Sequence, residues 1–159
     1  MTFISEYYIL ISVFAAWTVA QIIKLFTEFF TQGKFNLERI IGAGGMPSVH
    51  TASVVGLLVA IGRQDGIAST GFAISLVLTF VVVYDAMNVR YEAGEHAKVL
   101  NSLADWLVNM KFPHLSENGK FVDKDNKTLE LEEKLGHTIM EVIGGMAVGI
   151  VVPLLIPLH

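Results

Sequence analysis

Long apolar runs without charge alternate with short charged stretches along this chain. Tyr7–Ile23, Ile40–Gly62, Gly66–Tyr84 and Val142–Leu158 contain no Asp, Glu, Lys or Arg. Each run matches the roughly 17–25 residues that a helix needs to cross a bilayer. The pattern predicts four spans, over 7–26, 46–62, 66–86 and 137–158. Lys24-Leu25-Phe26-Thr27-Glu28-Phe29-Phe30 extends the first helix out of the membrane, with Gly33 as its stop. From Ala93 the apolar positions Ala97, Leu100, Ala104 and Leu107 recur at helical spacing, with Glu92, Glu95, Lys98, Asn101 and Asp105 opposite. That spacing predicts an amphipathic helix over 91–111, lying along the membrane surface. Residues 113–128 are polar and turn-rich and read as a loop, and a short helix from Leu129 leads into the fourth span. The expected fold is all-α: a polytopic membrane helix bundle of four transmembrane spans plus a cytoplasmic interfacial amphipathic helix. Residues 1–159 form a single integral membrane domain.

Composition agrees with this pattern. The chain is 53% hydrophobic and 16% charged, with a mean hydropathy of +0.56, whereas soluble domains carry ~25% charged residues. It has no cysteine, which excludes disulfides, thiol catalysis and Cys-based metal sites. A net charge of −4 is weak and points to no nucleic-acid partner. Glu6 stands where a secretory signal would be basic, and no small-x-small cleavage site follows, so the first run reads as a retained anchor. Of the eleven Lys and Arg residues, all but Arg63 fall in segments 24–39 and 85–136. The four-span reading puts these segments on one side of the membrane. The positive-inside rule makes that side cytoplasmic, with both termini outside, in the plasma (inner) membrane.

Polar groups within the spans locate the candidate chemistry. An ionisable residue at the centre of a span costs roughly 2.5–3.5 kcal/mol on insertion scales, so a position that keeps one is informative. Lys24 ends the first span, His50 begins the second, Asp85 and Arg90 end the third, and His137 and Glu141 begin the fourth. All lie at the same cytoplasmic depth. Taken singly, Lys24 and Arg90 read as anchors, His50 as a group satisfying a buried turn, and Asp85 and Arg90 as partners of each other. His137 and Glu141, at i, i+4, share a helix face and form a natural pair. Gly44-Gly45-Met46-Pro47-Ser48-Val49-His50 adds a glycine-rich turn opening a helix at Pro47. Its N–H groups and positive dipole end make an anion site. With Lys24, Arg39 and Arg90 nearby, phosphate fits that site best.

These residues also carry a family resemblance. Pro47-Ser48-Val49-His50 resembles the Pro-Ser-Gly-His element of the type-2 phosphatidic acid phosphatase and vanadium-dependent haloperoxidase superfamily. Leu135-Gly136-His137-Thr138-Ile139-Met140-Glu141-Val142, followed by Gly144-Gly145, resembles its third element. Together with Asp85-Ala86-Met87-Asn88-Val89-Arg90 and Ala93-Gly94, they are closest to the small divergent branch found in bacteria and plants. The resemblance implies a lipid-phosphate phosphatase that needs no cofactor or metal. His137 would be the nucleophile, Glu141 its orienting acid and His50 the leaving-group acid. Lys24, Arg39, Gly45, Ser48 and Arg90 would bind phosphate, with Asp85 in support. The pattern departs from the superfamily at its third element, where Glu130-Leu131 replaces the usual Ser-Arg. It also departs at the first, reduced to Lys24, Lys34 and Arg39 without the proline, and in having four spans rather than six.

Two other classes fit parts of the sequence. Glu92-x-x-x-His96 mirrors His137-x-x-x-Glu141, and His with carboxylate can hold a divalent metal in a metal-dependent membrane hydrolase. Gly145-x-x-x-Gly149 permits close helix packing and suits a homo-oligomer, as in a non-enzymatic phospholipid binder or carrier. Sensitivity to chelators and release of phosphate separate these classes from the first.

Overall fold

The computed structural model describes residues 6–32, 45–109, 131 and 136–158. Gly33, Lys34, Arg39, the 113–128 loop and the helix expected to start at Leu129 lie outside the described residues. All regular structure among those described is helical. The elements are α1 (Tyr8–Gln32), α2 (Val49–Gln64), α3 (Thr70–Tyr84), a π-helical turn (Asp85–Val89), α4 (Arg90–Asn109) and α5 (Ile139–Leu155). Two stretches are long and apolar enough to cross a membrane, Tyr8–Phe30 and the unbroken Thr70–Leu107, and Ile139–Leu155 is a shorter apolar helix.

Caps set the helix starts. α2 begins at Val49 rather than Pro47, because Ser48 is extended and its hydroxyl accepts the Thr51 N–H. α5 begins at Ile139, with Thr138 as N-cap and Glu141 closing a capping box. α4 does not start afresh as a surface helix: it continues from α3 through the π-turn. Of its expected apolar stripe Ala97 is buried, while Leu100 is exposed, as are its neighbours Leu103 and Trp106.

α2 occupies the centre, packed against α1, α3 and α5, and α1 also touches α5. Most buried positions at the helix contacts are small, among them Ser12, Ala16, Ala20, Ala52, Gly56, Ala60, Gly145 and Gly149, with Tyr8, Val55 and Val142 as larger apolar exceptions. Large apolar side chains point outward, among them Phe14, Trp17, Phe26, Ile74 and Phe80. A core formed in water has the opposite arrangement. Small residues at the contacts are what helices packed in lipid use.

The α2–α5 contact is the tightest. A Cβ placed on Gly149 would lie 2.7 Å from the Ala52 carbonyl oxygen and 2.8 Å from Val55 Cβ. One placed on Gly145 would fall against the Ser48 carbonyl oxygen. Gly145-x-x-x-Gly149 therefore packs against α2 of its own chain. At the far end, Arg63 donates to the Pro153 carbonyl, to the Ile156 carbonyl at 3.0 Å and to the Tyr8 hydroxyl at 2.5 Å. The Tyr8 hydroxyl donates in turn to the Pro153 carbonyl at 2.8 Å. A cation there meets the negative end of the α5 dipole and ties α1, α2 and α5 together. In the sequence Arg63 was legible only as a marker of topology.

Gly149→Val is expected to destabilise the protein by about 1–3 kcal/mol through overpacking. Ala147→Val, on the exposed side of α5, is expected to be neutral. Thermal unfolding of both variants in the same detergent checks this.

Candidate active site

The chemistry-bearing residues gather where α2 and α5 begin. Gly45 has a φ of +95°, a backbone conformation that suits glycine, and the Met46–Pro47 bond that follows is cis. The chain then reaches Ser48, whose N–H donates to the Glu141 carbonyl at 2.8 Å and so fixes the start of α2 to the first turn of α5. The Ser48 side chain is fully buried. Its hydroxyl accepts from the Thr51 N–H at 3.4 Å and from the Thr51 hydroxyl at 3.0 Å, so it is used in the cap.

His137 and Glu141 meet, but not across one helix face. His137 stands just ahead of the α5 N-cap, turned out of the helix by Gly136 at φ +85°. Its N–H donates to the Ala86 carbonyl at 2.9 Å. Its Nδ1 lies 3.0 Å from Glu141 Oε2, and that same oxygen accepts the Thr138 N–H at 3.0 Å. The Gly45 N–H faces this carboxylate too. A carboxylate at Nδ1 holds the proton there and leaves the Nε2 lone pair free. The His137 side chain is buried, with a side-chain exposure of only 6%.

His50, in the first turn of α2, is exposed. Its ring centroid is 6.2 Å from that of His137. Lys24 is buried and its stem lies over the glycine turn: a Cβ on Gly45 would be 2.9 Å from Lys24 Cε and 3.3 Å from Glu28 Oε1. Thr27 fastens α1 to this turn, its hydroxyl donating to the Met46 carbonyl at 2.5 Å. Arg90 Nε pairs with Asp85 Oδ2 at 2.6 Å. Lys24, Asp85, Arg90 and His137 all act electrostatically on His50. The positive ends of the α2 and α5 dipoles add to this field.

The structure thus brings together Lys24, Gly45, Ser48, His50, Asp85, Arg90, His137 and Glu141, while Arg39 lies outside the described residues. Thr138, Glu28 and the Ala86 carbonyl belong to the cluster and were not found by sequence reasoning. Thr138-x-x-Glu141 carried a readable capping-box signal. A backbone carbonyl carries none. Among the described residues no group of three or more His, Asp or Glu side chains could hold a metal, and Glu92 and His96 are exposed on α4.

Comparison with known proteins agrees with the motif resemblance. The family model described as "Divergent PAP2 family" matches residues 5–152. The chain belongs to the Divergent PAP2 family. This Divergent PAP2 protein is also 33% identical, over 147 residues, to the "Uncharacterized membrane protein YuiD" of Bacillus subtilis (strain 168), with 92% of each chain covered. No solved structure matches it. The family match spans every residue of the cluster, from Lys24 to Glu141.

Because Thr138 caps α5 through its hydroxyl, Thr138→Ala is expected to lower stability by roughly 1 kcal/mol. Chemical denaturation of the two proteins in the same micelles measures the difference.

Proposed function

We propose that this Divergent PAP2 protein is a membrane-embedded phosphatase that hydrolyses a lipid phosphate monoester through a phosphohistidine. The observation that carries the reading is the His137 Nδ1–Glu141 contact at 3.0 Å, with the His50 ring 6.2 Å from that of His137. His137 Nε2 attacks phosphorus, the P–O bond to the lipid breaks, and His50 gives its proton to the leaving alkoxide. Water then attacks the phosphohistidine, its proton passing to His50, and inorganic phosphate leaves. Glu141 stabilises the imidazolium formed in the first step, as the acid of a serine-protease triad does for its histidine. Lys24, Arg39 and Arg90 neutralise the phosphoryl oxygens, with Asp85 holding Arg90. Gly45 and Ser48 shape the turn against which the oxygens lie. Fixed cations and two helix dipoles suit a reaction whose catalysis is mostly charge stabilisation.

The outward-facing apolar residues and the small buried core support a bundle embedded in lipid. In this reading α1, α2, α3 and α5 are four spans, α4 carries α3 onward on the cytoplasmic side and both termini are outside. The site then faces the inner leaflet of the plasma membrane. Phosphatidic acid, phosphatidylglycerol phosphate and prenyl phosphates are the candidate substrates.

Purified protein is expected to release phosphate from one or more of these lipids, equally with and without chelator. His50→Ala is expected to slow the lipid reaction by about 10²–10⁴-fold, the usual contribution of a general acid. An activated aryl phosphate, whose leaving group needs no proton, should be slowed far less. Lipid-phosphate binding without release by the wild-type protein would instead favour a non-catalytic lipid binder. Reporter fusions at the C-terminus test the orientation, and a cytoplasmic signal would reverse it.

A further inference from the structure

The π-turn between α3 and α4 has a role that the motifs alone do not suggest. It contains one residue more than a regular turn: the Arg90 N–H bonds to the Asp85 carbonyl, five residues back. On an unbroken α-helix, residues five apart point about 140° away from each other. In this wider turn Asp85 and Arg90 meet at 2.6 Å. Two contacts then join the turn to the residues ahead of α5. Ala86, inside it, accepts the His137 N–H at 2.9 Å. Gly136 is packed on the Arg90–Tyr91 peptide so closely that a Cβ would lie 2.7 Å from Tyr91 Cα and 2.8 Å from the Arg90 carbonyl carbon. Gly136 is also held at φ +85°.

We infer that the π-turn and Gly136 form one positioning seat, which fixes His137 against Glu141 and in register with Arg90. The inference rests on the phosphatase reading for its kinetic consequence, but not for its geometry. A regular turn would not bring Arg90 to Asp85 across five residues and also present the Ala86 carbonyl to His137. A side chain at position 136 would push His137 off the turn. Gly136 and the extra residue of the turn are positioning residues, acting through His137.

Gly66 provides an internal control, because it has the same φ of +85° but nothing within 4 Å of an added Cβ. Gly66→Ala therefore tests strain alone, whereas Gly136→Ala tests strain together with contact. Deletion of the exposed Val89 is the second variant. It restores a regular turn, continues α3 into α4 and leaves Asp85 and Arg90 at i, i+4, where they can still pair.

The test uses full-length protein in nanodiscs, with ¹⁵N-labelled histidine and with kinetics on a lipid phosphate. The His137 Nδ1–H proton held by Glu141 is expected far downfield in the proton spectrum, identified by its absence in His137→Ala. Gly136→Ala and the Val89 deletion are expected to lose or shift that resonance. They should also lower kcat by roughly 10²-fold, the cost of an ångström-scale misplacement, with KM nearly unchanged in Gly136→Ala, which leaves Arg90 in its place in the sequence of the turn. Gly66→Ala is expected to keep both. A folded Val89 deletion with the wild-type resonance and wild-type kcat would overturn the inference. If no variant, nor the wild type, hydrolyses any lipid phosphate, the spectrum still decides. Loss of the resonance in the two seat variants upholds the seat while the phosphatase reading fails, and its retention removes the seat.

Discussion

The hydrogen bond from the Ser48 N–H to the Glu141 carbonyl, 2.8 Å long, is the constraint on which the rest of the structure depends. It can form only if the first turns of α2 and α5 approach almost backbone to backbone. The glycines of α5 allow this, since any Cβ at 145 or 149 would meet the α2 backbone. Once the two helix starts are joined, their positive ends converge and His50 comes to face His137. The cap of each helix then becomes part of the site. Ser48 holds α2, and Glu141 both closes the α5 capping box and binds the His137 imidazole. Folding and site assembly rest on the same few bonds.

The two ends of the bundle solve different problems. At the far end Arg63 and Tyr8 bind the Pro153 and Ile156 carbonyls at the close of α5, so these polar groups are paired within the protein. At the near end Lys24, Arg90 and two histidines surround a turn whose backbone is already bonded. The positive ends of two helix dipoles, with Lys24 and Arg90 beside them, suit an anion. Between the ends the helices meet through Ala, Ser, Thr and Gly, and the large side chains face outward. A lipid surrounding makes that arrangement favourable, because burial of large apolar groups gains little there.

Much of this was legible in the sequence, for identifiable reasons. Charge-free runs report helices directly, and ionisable residues gathered at one end of several such runs are more than single anchors explain, so Lys24, His50, Asp85, Arg90, His137 and Glu141 stood out together. The details failed where local chemistry outranked pattern. Pro47 can begin a helix, but Ser48 caps better, so α2 starts at Val49. His137 and Glu141 have helical spacing, yet Gly136 and Thr138 keep His137 outside the helix, and the pair forms through the capping box instead. The π-turn left only the five-residue interval from Asp85 to Arg90 as a trace. Ala86 contributes a backbone carbonyl, which any residue would have supplied.

The central claim is that His137, oriented by Glu141, carries the phosphoryl group. Rapid quenching of purified protein during turnover of a ³²P-labelled lipid phosphate, followed by peptide mapping under alkaline conditions, tests it most directly. The account predicts acid-labile, base-stable label on the peptide containing His137, located on Nε2. Label on another residue, or steady turnover with His137 replaced by alanine, would contradict it.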